Sequence, residues 1–481
     1  MKVKNFKSRN TGETDLKIVI KFGGTSLATV KDIKNVVKTV STLSNKNKLV
    51  VVCSAVDGIT DELIKISKEI QKDNKKEANR ILARISQKHK QYSTHLVNNS
   101  KIQKALLDKT QLDLTELEKL VNGLILLGEV TPRSYDYLIS FGERLSINLV
   151  SFALQETKNK SIPLTGKEAG IITDSNFGES RPLMDTTRIR LSKIIQGYIS
   201  NNVIPVVGGF SGADQHGTIT TFGRGGSDYT ATIIASCINA EEIWWMSDVD
   251  GMMTADPKLV KDAKLLKEVS YAEAIEMALF GAKQIHPRTF EPLLSKRIPM
   301  RIRSTFNLHN DGTFVTVSPS ASTKTVKCVS AIRHVGLIDL TGGITFATPG
   351  TAAKIFTVLG EKNINVMMVS SNPSESSISI IVKKSELDKA VNALEMNLLG
   401  KTVKKIDTTP NVSIIAVIGS GMKGTVGIAS KVFFAAQKRK ANVMMIAQGS
   451  SELNHAFVVK DNDCKSVIQS LHQEFDLASI N

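Results

Sequence analysis

An α/β domain built on a mostly parallel sheet, followed by two small α+β units, is the fold that the sequence predicts. Three observations predict it. Apolar strands run straight into glycines and then into helical patterning; strand-like and helix-like segments alternate up to about residue 305; and a repeat occupies the C-terminal part.

The first strand is Lys17-Ile-Val-Ile-Lys-Phe, which enters Gly23-Gly24-Thr-Ser26 and then helical spacing through Val40. A second apolar run, Leu49–Ser54, ends at Asp57-Gly58, and residues 61 to 128 are rich in Leu, Ile, Lys and Glu at helical spacing, as expected of a helical lobe. Strand-like runs follow at Val203–Val207, Thr218–Thr221, Glu242–Met246 and Pro299–Arg303, alternating with helical patterns at Asp228–Ile238 and Tyr271–Phe280. After Ser304 the texture becomes polar to about Lys327, which reads as a linker over 306–330.

The repeat comes next. One copy runs Gly350–Leu359, Asn363–Ser371 and Ser374–Val382; the other runs Gly427–Phe434, Ala441–Ser450 and Ser451–Val459. Each is a glycine-opened helix followed by two strands. A single copy would leave an open sheet edge, so the two copies are expected to pair. A strand near Lys327–Ile332 is expected to join the second copy, interleaving the two in sequence.

Composition excludes several classes. With 481 residues, 41% of them hydrophobic, the chain is long enough for two to four domains. Residues 1–16 are polar and lysine-rich without the apolar stretch of a signal peptide, and read as a loose basic tail. Apolar runs such as Val203–Phe210 fall far below the roughly 20 residues that span a bilayer, so no membrane is expected. Four scattered cysteines support neither a disulfide framework nor a structural zinc site, and suit a reducing cytoplasm. The net charge of +16 is dispersed and aromatics reach only 5%, which argues against a nucleic-acid partner.

Five segments carry residues suited to chemistry on anions. In Lys21-Phe-Gly-Gly-Thr-Ser26 the glycines let the backbone approach an anion, the next helix offers free N–H groups, and Lys21 can neutralise phosphate charge. The Walker pattern GxxxxGK[ST] is absent, so a different nucleotide fold is implied. In Thr221-Phe-Gly-Arg-Gly-Gly-Ser-Asp-Tyr-Thr230, Ser227 and Asp228 are favourable helix N-caps, and Arg224 can hold a carboxylate through two parallel hydrogen bonds beside N–H groups freed by Gly225 and Gly226. Phosphorylating a carboxylate brings two anions together, and paired helix N-termini with two cations offset that repulsion. Glu143, in Phe-Gly-Glu-Arg-Leu-Ser146, has a glycine-flanked apolar setting suited to an ammonium group, and Thr60 follows Ser54-Ala-Val-Asp-Gly-Ile. Trp244–Lys258 leaves a strand for an acidic loop, the end at which open α/β sheets bind ligands, although Asp-Gly and Asp-Pro alone would build a turn. Lys283, in Gly281-Ala-Lys-Gln-Ile-His-Pro287, follows a helix, where a cation serves equally as a cap.

These segments, in this order, resemble the aspartate kinases of the amino acid kinase family, and the repeats resemble that family's paired ACT domains, over nearly all of residues 17–475. The resemblance implies an αβα sandwich kinase domain (17–305) and two ACT domains (331–400 and 411–475). It implies that Lys21 and Asp228 are catalytic, and that Thr60, Glu143, Arg224, Gly225, Gly226 and Ser227 bind aspartate. Lys21, Phe22, Gly23, Gly24, Ser26, Ser247, Asp248, Met253, Lys258, Lys283 and Gln284 would surround the nucleotide. The commonest family pattern has Thr at 247, Tyr at 253 and Arg at 258, so Met253 lacks a phenol and Lys258 the guanidinium fork.

The implied reaction is ATP plus L-aspartate to ADP and 4-phospho-L-aspartate, with MgATP as the nucleotide and no protein ligand named for the metal. It would open the route to lysine, threonine, methionine and isoleucine in the cytoplasm. Assembly into a homodimer or larger homo-oligomer through the ACT domains is expected, as is an amino-acid effector. Threonine is favoured over lysine, because Met367 stands where lysine-sensitive relatives often carry an acid. A silent amino-acid sensor, or a kinase of the same fold acting on another small carboxylate, is the alternative.

Overall fold

The computed structural model describes residues 15–281, 285–307, 309–319, 324–342, 349–372 and 377–480. Two compact units emerge: residues up to Gly251 with Ile285–Val317, and Met252–Gln284 with residues from Ser318 onward. The expected N-terminal tail falls outside the described residues except for its last two, and Leu16 already opens the first strand.

The first unit begins with β1 (Leu16–Phe22), α1 (Val30–Ser44) and β2 (Asn47–Cys53). Thr29 starts α1 with a reciprocal capping box to Asp32, satisfying two of the N–H groups that a helix start leaves open. The helical lobe expected over 61–128 is α2 (Ile59–Gln71), α3 (Lys75–Leu96) and α4 (Ser100–Leu127). Next comes α5 (Pro132–Glu156), with Thr131 as cap, proline in its first turn and most of its length buried. Then follow β3 (Ser161–Leu164), α6 (Met184–Ser200), β4 (Ile204–Gly208), the hairpin β5 (Ser211–Ala213) and β6 (Ile219–Thr221), α7 (Gly226–Ile238) and β7 (Glu242–Ser247). The chain leaves this unit for β8 (Glu268–Ser270) and α8 (Tyr271–Leu279), then returns with α9 (Glu291–Lys296), β9 (Met300–Ser304) and β10 (Thr313–Thr316).

The strands of the first unit lie in the order β3-β4-β2-β1-β7-β9-β10, all neighbours parallel except β9 and β10. Alternation along β1 decides what each face does. Ile18, Ile20 and Phe22 join the large core shared with α1 to α5, whereas Lys21 points the other way, towards α7. The stretch 306–330, expected as a linker, contains β10, and Cys328 opens the next strand.

The second unit is an antiparallel sheet with helices. Its strands β11 (Cys328–Thr341), β12 (Met368–Asn372), β13 (Ser377–Lys383), β14 (Lys405–Ile418), β15 (Met445–Ala447) and β16 (Asn454–Lys460) lie in the order β12-β13-β11-β14-β16-β15. Its helices are α10 (Thr351–Glu361), α11 (Leu387–Leu398), α12 (Ile428–Gln437) and α13 (Asp461–Glu474). The expected interleaving is present: Cys328–Ile332 pair with Ile414–Ile418 of β14, which pairs in turn with β16 of the second copy, while Val335–Thr341 lie between β13 of the first copy and the earlier part of β14. Between them the register of β11 shifts and His334 takes a positive φ of 58°.

Residues 252–281 pack within this second unit. Thr254 Oγ1 lies 2.9 Å from His472 Nε2, Gln469 donates to the Leu259 carbonyl, and Asn454 donates to Glu276. Glu273 caps α8 through Ser270, accepts the Ser420 N–H at 2.9 Å and pairs with Lys327 at 3.2 Å, with both charged side chains buried. Burial alone would raise the Glu273 pKa, but the N–H groups of Ser270 and Ser420 and the Lys327 charge hold it below the usual glutamate value. A depressed carboxyl contributes stability that is present above its unfolded pKa and is lost as the pH falls. Replacing Lys327 by methionine leaves this carboxylate unpaired and is expected to cost about 3 kcal/mol, read by urea unfolding at pH 7. A loss below about 1 kcal/mol would show that water reaches the pair.

Candidate active site

The cleft of the first unit, about 540 Å³, is lined by Lys21 and Gly24, by the Ser54–Thr60 turn, by Glu143 and by the Gly223–Asp228 segment. Local sequence explains each wall. At Gly58 and Gly225 the backbone adopts a left-handed conformation, φ 78° and 73°, and each residue precedes a helix with no side-chain cap. The N-termini of α2 and α7 therefore present open N–H groups and positive dipole ends to the same cleft. Ser227 and Asp228, plausible caps by type, stand in the first turn of α7 instead and turn their side chains to Glu143 and Lys21.

Lys21 is buried, with Nζ 2.5 Å from Asp228 Oδ1 and 4.8 Å from the centre of the Trp245 ring. Burial pushes the Asp228 carboxyl up, against the pull of the Lys21 charge. Glu143 is buried too. The Ser227 hydroxyl donates to its Oε1 at 3.3 Å, while Oε2 meets no partner in hydrogen-bonding geometry among the described residues. Burial pushes the Glu143 pKa up to about 8, opposed by nearby backbone N–H groups, Ser227 and Lys21. Arg224 is exposed at the rim, and no described side chain pairs with its guanidinium.

The expected substrate side, Thr60, Glu143, Arg224, Gly225, Gly226 and Ser227, thus converges on one cleft with Lys21, Gly24 and Asp228. Gly23 lies beside Lys21: a Cβ there would sit 3.4 Å from Nζ. Two expectations change. Phe22 is fully buried in the core, because strand parity turns it away from Lys21, so only its backbone remains available to a nucleotide. The Ser26 hydroxyl is buried and bonded to Thr305 Oγ1 at 2.7 Å. Ser247 and Asp248 lie at the end of β7, bonded to each other at 3.1 Å. Met253 and Lys258 belong to the second unit, and Lys283 and Gln284 lie outside the described residues.

Gly209 and Thr305 are among the residues that escaped the sequence reading. Gly209 packs so closely on α7 that a Cβ would lie 2.6 Å from the Ser227 Cα; the signal was there, a second glycine pair directly after a strand. Thr305 bonds Ser26 through its side chain and the Ser247 carbonyl through its N–H, an arrangement with no local signature.

Residues 17–304 match a family described as "Amino acid kinase family", and residues 338–398 and 415–475 match "ACT domain". Aspartokinase 2, chloroplastic, of Arabidopsis thaliana is 31% identical over 484 residues, covering 97% of this chain and 86% of that protein. The chain spans about half the length of other curated relatives, such as the bifunctional aspartokinase/homoserine dehydrogenase 2, chloroplastic, of Zea mays, 30% identical over 96% of this chain and 51% of that protein. E. coli aspartokinase III, solved in complex with aspartate and ADP (R-state), is 25% identical with a TM-score of 0.76, covering 95% of this chain and 99% of its own; its complex with lysine and aspartate (T-state) gives 0.78.

Proposed function

This chain belongs to the amino acid kinase family, and we propose that it is an aspartate kinase, transferring the γ-phosphoryl group of MgATP to the side-chain carboxylate of L-aspartate. The observation that carries the reading is one cleft holding Lys21, Arg224 and the unpartnered Glu143 Oε2 at the uncapped starts of α2 and α7. A dicarboxylic amino acid offers what these groups lack: an ammonium for Glu143, an α-carboxylate for Arg224 and a second carboxylate to be turned towards Lys21. Kinship with aspartokinases and the aspartate and ADP of the E. coli relative support the same choice.

A carboxylate is ionised at neutral pH, so no general base is needed. One of its oxygens attacks the γ-phosphorus in line, the bond to the β,γ-bridging oxygen breaks, and ADP leaves with that electron pair. Lys21 and the helix N-termini stabilise the charge on the transferring oxygens, and Asp228 holds the Lys21 ammonium in place. Magnesium enters as part of the nucleotide substrate. Among the described residues no helix is long and apolar enough to cross a membrane.

The ACT pair would bind an amino-acid effector and join copies of the chain. Threonine is our choice of effector, since the Met367 thioether offers no anion to the lysine ammonium. A coupled ADP-release assay with aspartate, glutamate, acetylglutamate and UMP tests both proposals: turnover is expected with aspartate alone. At subsaturating aspartate, threonine should lower the rate, and a tenfold loss of aspartate affinity corresponds to about 1.4 kcal/mol of coupling. Preferred turnover of another acceptor would overturn the substrate, and inhibition by lysine alone would overturn the effector.

A further inference from the structure

Helix α5 reaches the Arg224 segment twice. Glu143 accepts the Ser227 hydroxyl just after Arg224. Seven residues earlier, two helical turns back on the same face, Asp136 meets the chain just before it. The Asp136 side chain is fully buried. Its Oδ2 accepts the Thr221 N–H at 2.8 Å and the Gly178 N–H at 2.9 Å, and its Oδ1 accepts the Thr221 hydroxyl at 2.8 Å. Gly178 and Thr221 both line the cleft, whereas Asp136 stands behind its wall.

Between these anchors runs Phe222-Gly-Arg-Gly-Gly226, with positive φ at Gly223 and Gly225. Such a segment has wide conformational freedom, and an exposed Arg224 with which no described side chain pairs does not fix its own position. Two anchors on one rigid helix can. We propose that Asp136 is a positioning residue for substrate recognition: by holding Thr221 and Gly178 it sets the Arg224 guanidinium at the distance from Glu143 that matches the carboxylate and ammonium of one amino acid. The proposal rests on the aspartate kinase reading above.

Replacing Asp136 by alanine removes three acceptor contacts and frees the segment. The aspartate KM should rise about tenfold or more, equivalent to about 1.4 kcal/mol, while the ATP KM stays within about twofold. Asp136→Asn should restore most of the affinity, because the amide oxygen can take both N–H groups while the Thr221 hydroxyl turns to accept from the amide. In the ligand-free protein, hydrogen exchange over residues 222–226 should be faster in Asp136→Ala than in the wild type and in Asp136→Asn. An unchanged aspartate KM, an ATP KM rising equally with it, or unchanged exchange would overturn the proposal. Should Asp136→Ala fail to fold, Thr221→Val removes one contact alone and should raise the aspartate KM about threefold; no change there overturns the proposal as well. If the wild type does not phosphorylate aspartate, the functional reading fails on its own, and the exchange comparison still decides whether Asp136 holds the segment.

Discussion

Replacing Lys21 by alanine is expected to lower kcat about a hundredfold or more while the protein remains folded, by comparison with removing one preorganised donor from a charge-stabilising site. The location supports so large an effect. Nζ is buried between Asp228 and the Trp245 face, where little water screens its charge and little reorganisation is needed as charge moves between phosphate oxygens. Folding should survive because Asp228, already pushed up by burial, can take a proton once its partner is gone. Steady-state kcat on a variant with native circular dichroism decides the point. A rate within about threefold of the wild type would remove Lys21 from the transfer step.

Aspartate affinity should depend steeply on pH through Glu143. With its pKa pushed up to about 8 by burial, this carboxyl is mostly protonated at neutral pH in the empty cleft. An ammonium group pairs with the ionised form, so binding at pH 7 should release about 0.9 proton, and affinity should rise about tenfold from pH 6 to pH 7 and level off above pH 8. Calorimetry in buffers of different ionisation heat measures that proton directly. Glu143→Gln should bind aspartate weakly and without the pH slope. A slope that persists in the glutamine variant would assign the titration to another group. The sign for stability is opposite: with a raised carboxyl pKa the folded state holds the proton more tightly than the unfolded one. That contribution is lost as the pH rises from the ordinary glutamate value through 8.

What the sequence disclosed was local. The glycines at 23–24 and 225–226 follow strands and open helices, and that order alone marked them; Gly350 and Gly427 mark the repeat in the same way. Parity was available but unused: along β1 it separates Phe22 from Lys21. Glu143 could be singled out only through its apolar flanks, because a single helical glutamate is normally solvated. Of the residues missed, Asp136 and Thr305 act through contacts with distant parts of the chain, 85 residues from Asp136 to Thr221 and 279 from Thr305 to Ser26. The affiliation of residues 252–281 was hidden for the same reason. Their helix read as one more turn of the alternation, and only partners such as Ser420 and His472 place them with the C-terminal unit.

That affiliation sets a timetable for the ribosome. Thr254 is 218 residues ahead of His472, Leu259 is 210 ahead of Gln469, and Glu273 is 147 ahead of Ser420. At about 5 to 20 residues per second, the 252–281 segment waits roughly 10 to 40 s after its synthesis for the chain that covers it. During that interval Val260, Leu266, Val269 and Met277 have emerged without their native surroundings. A nascent chain in this state is a natural client for a chaperone, and a message truncated near its 3′ end would leave the segment uncovered for good.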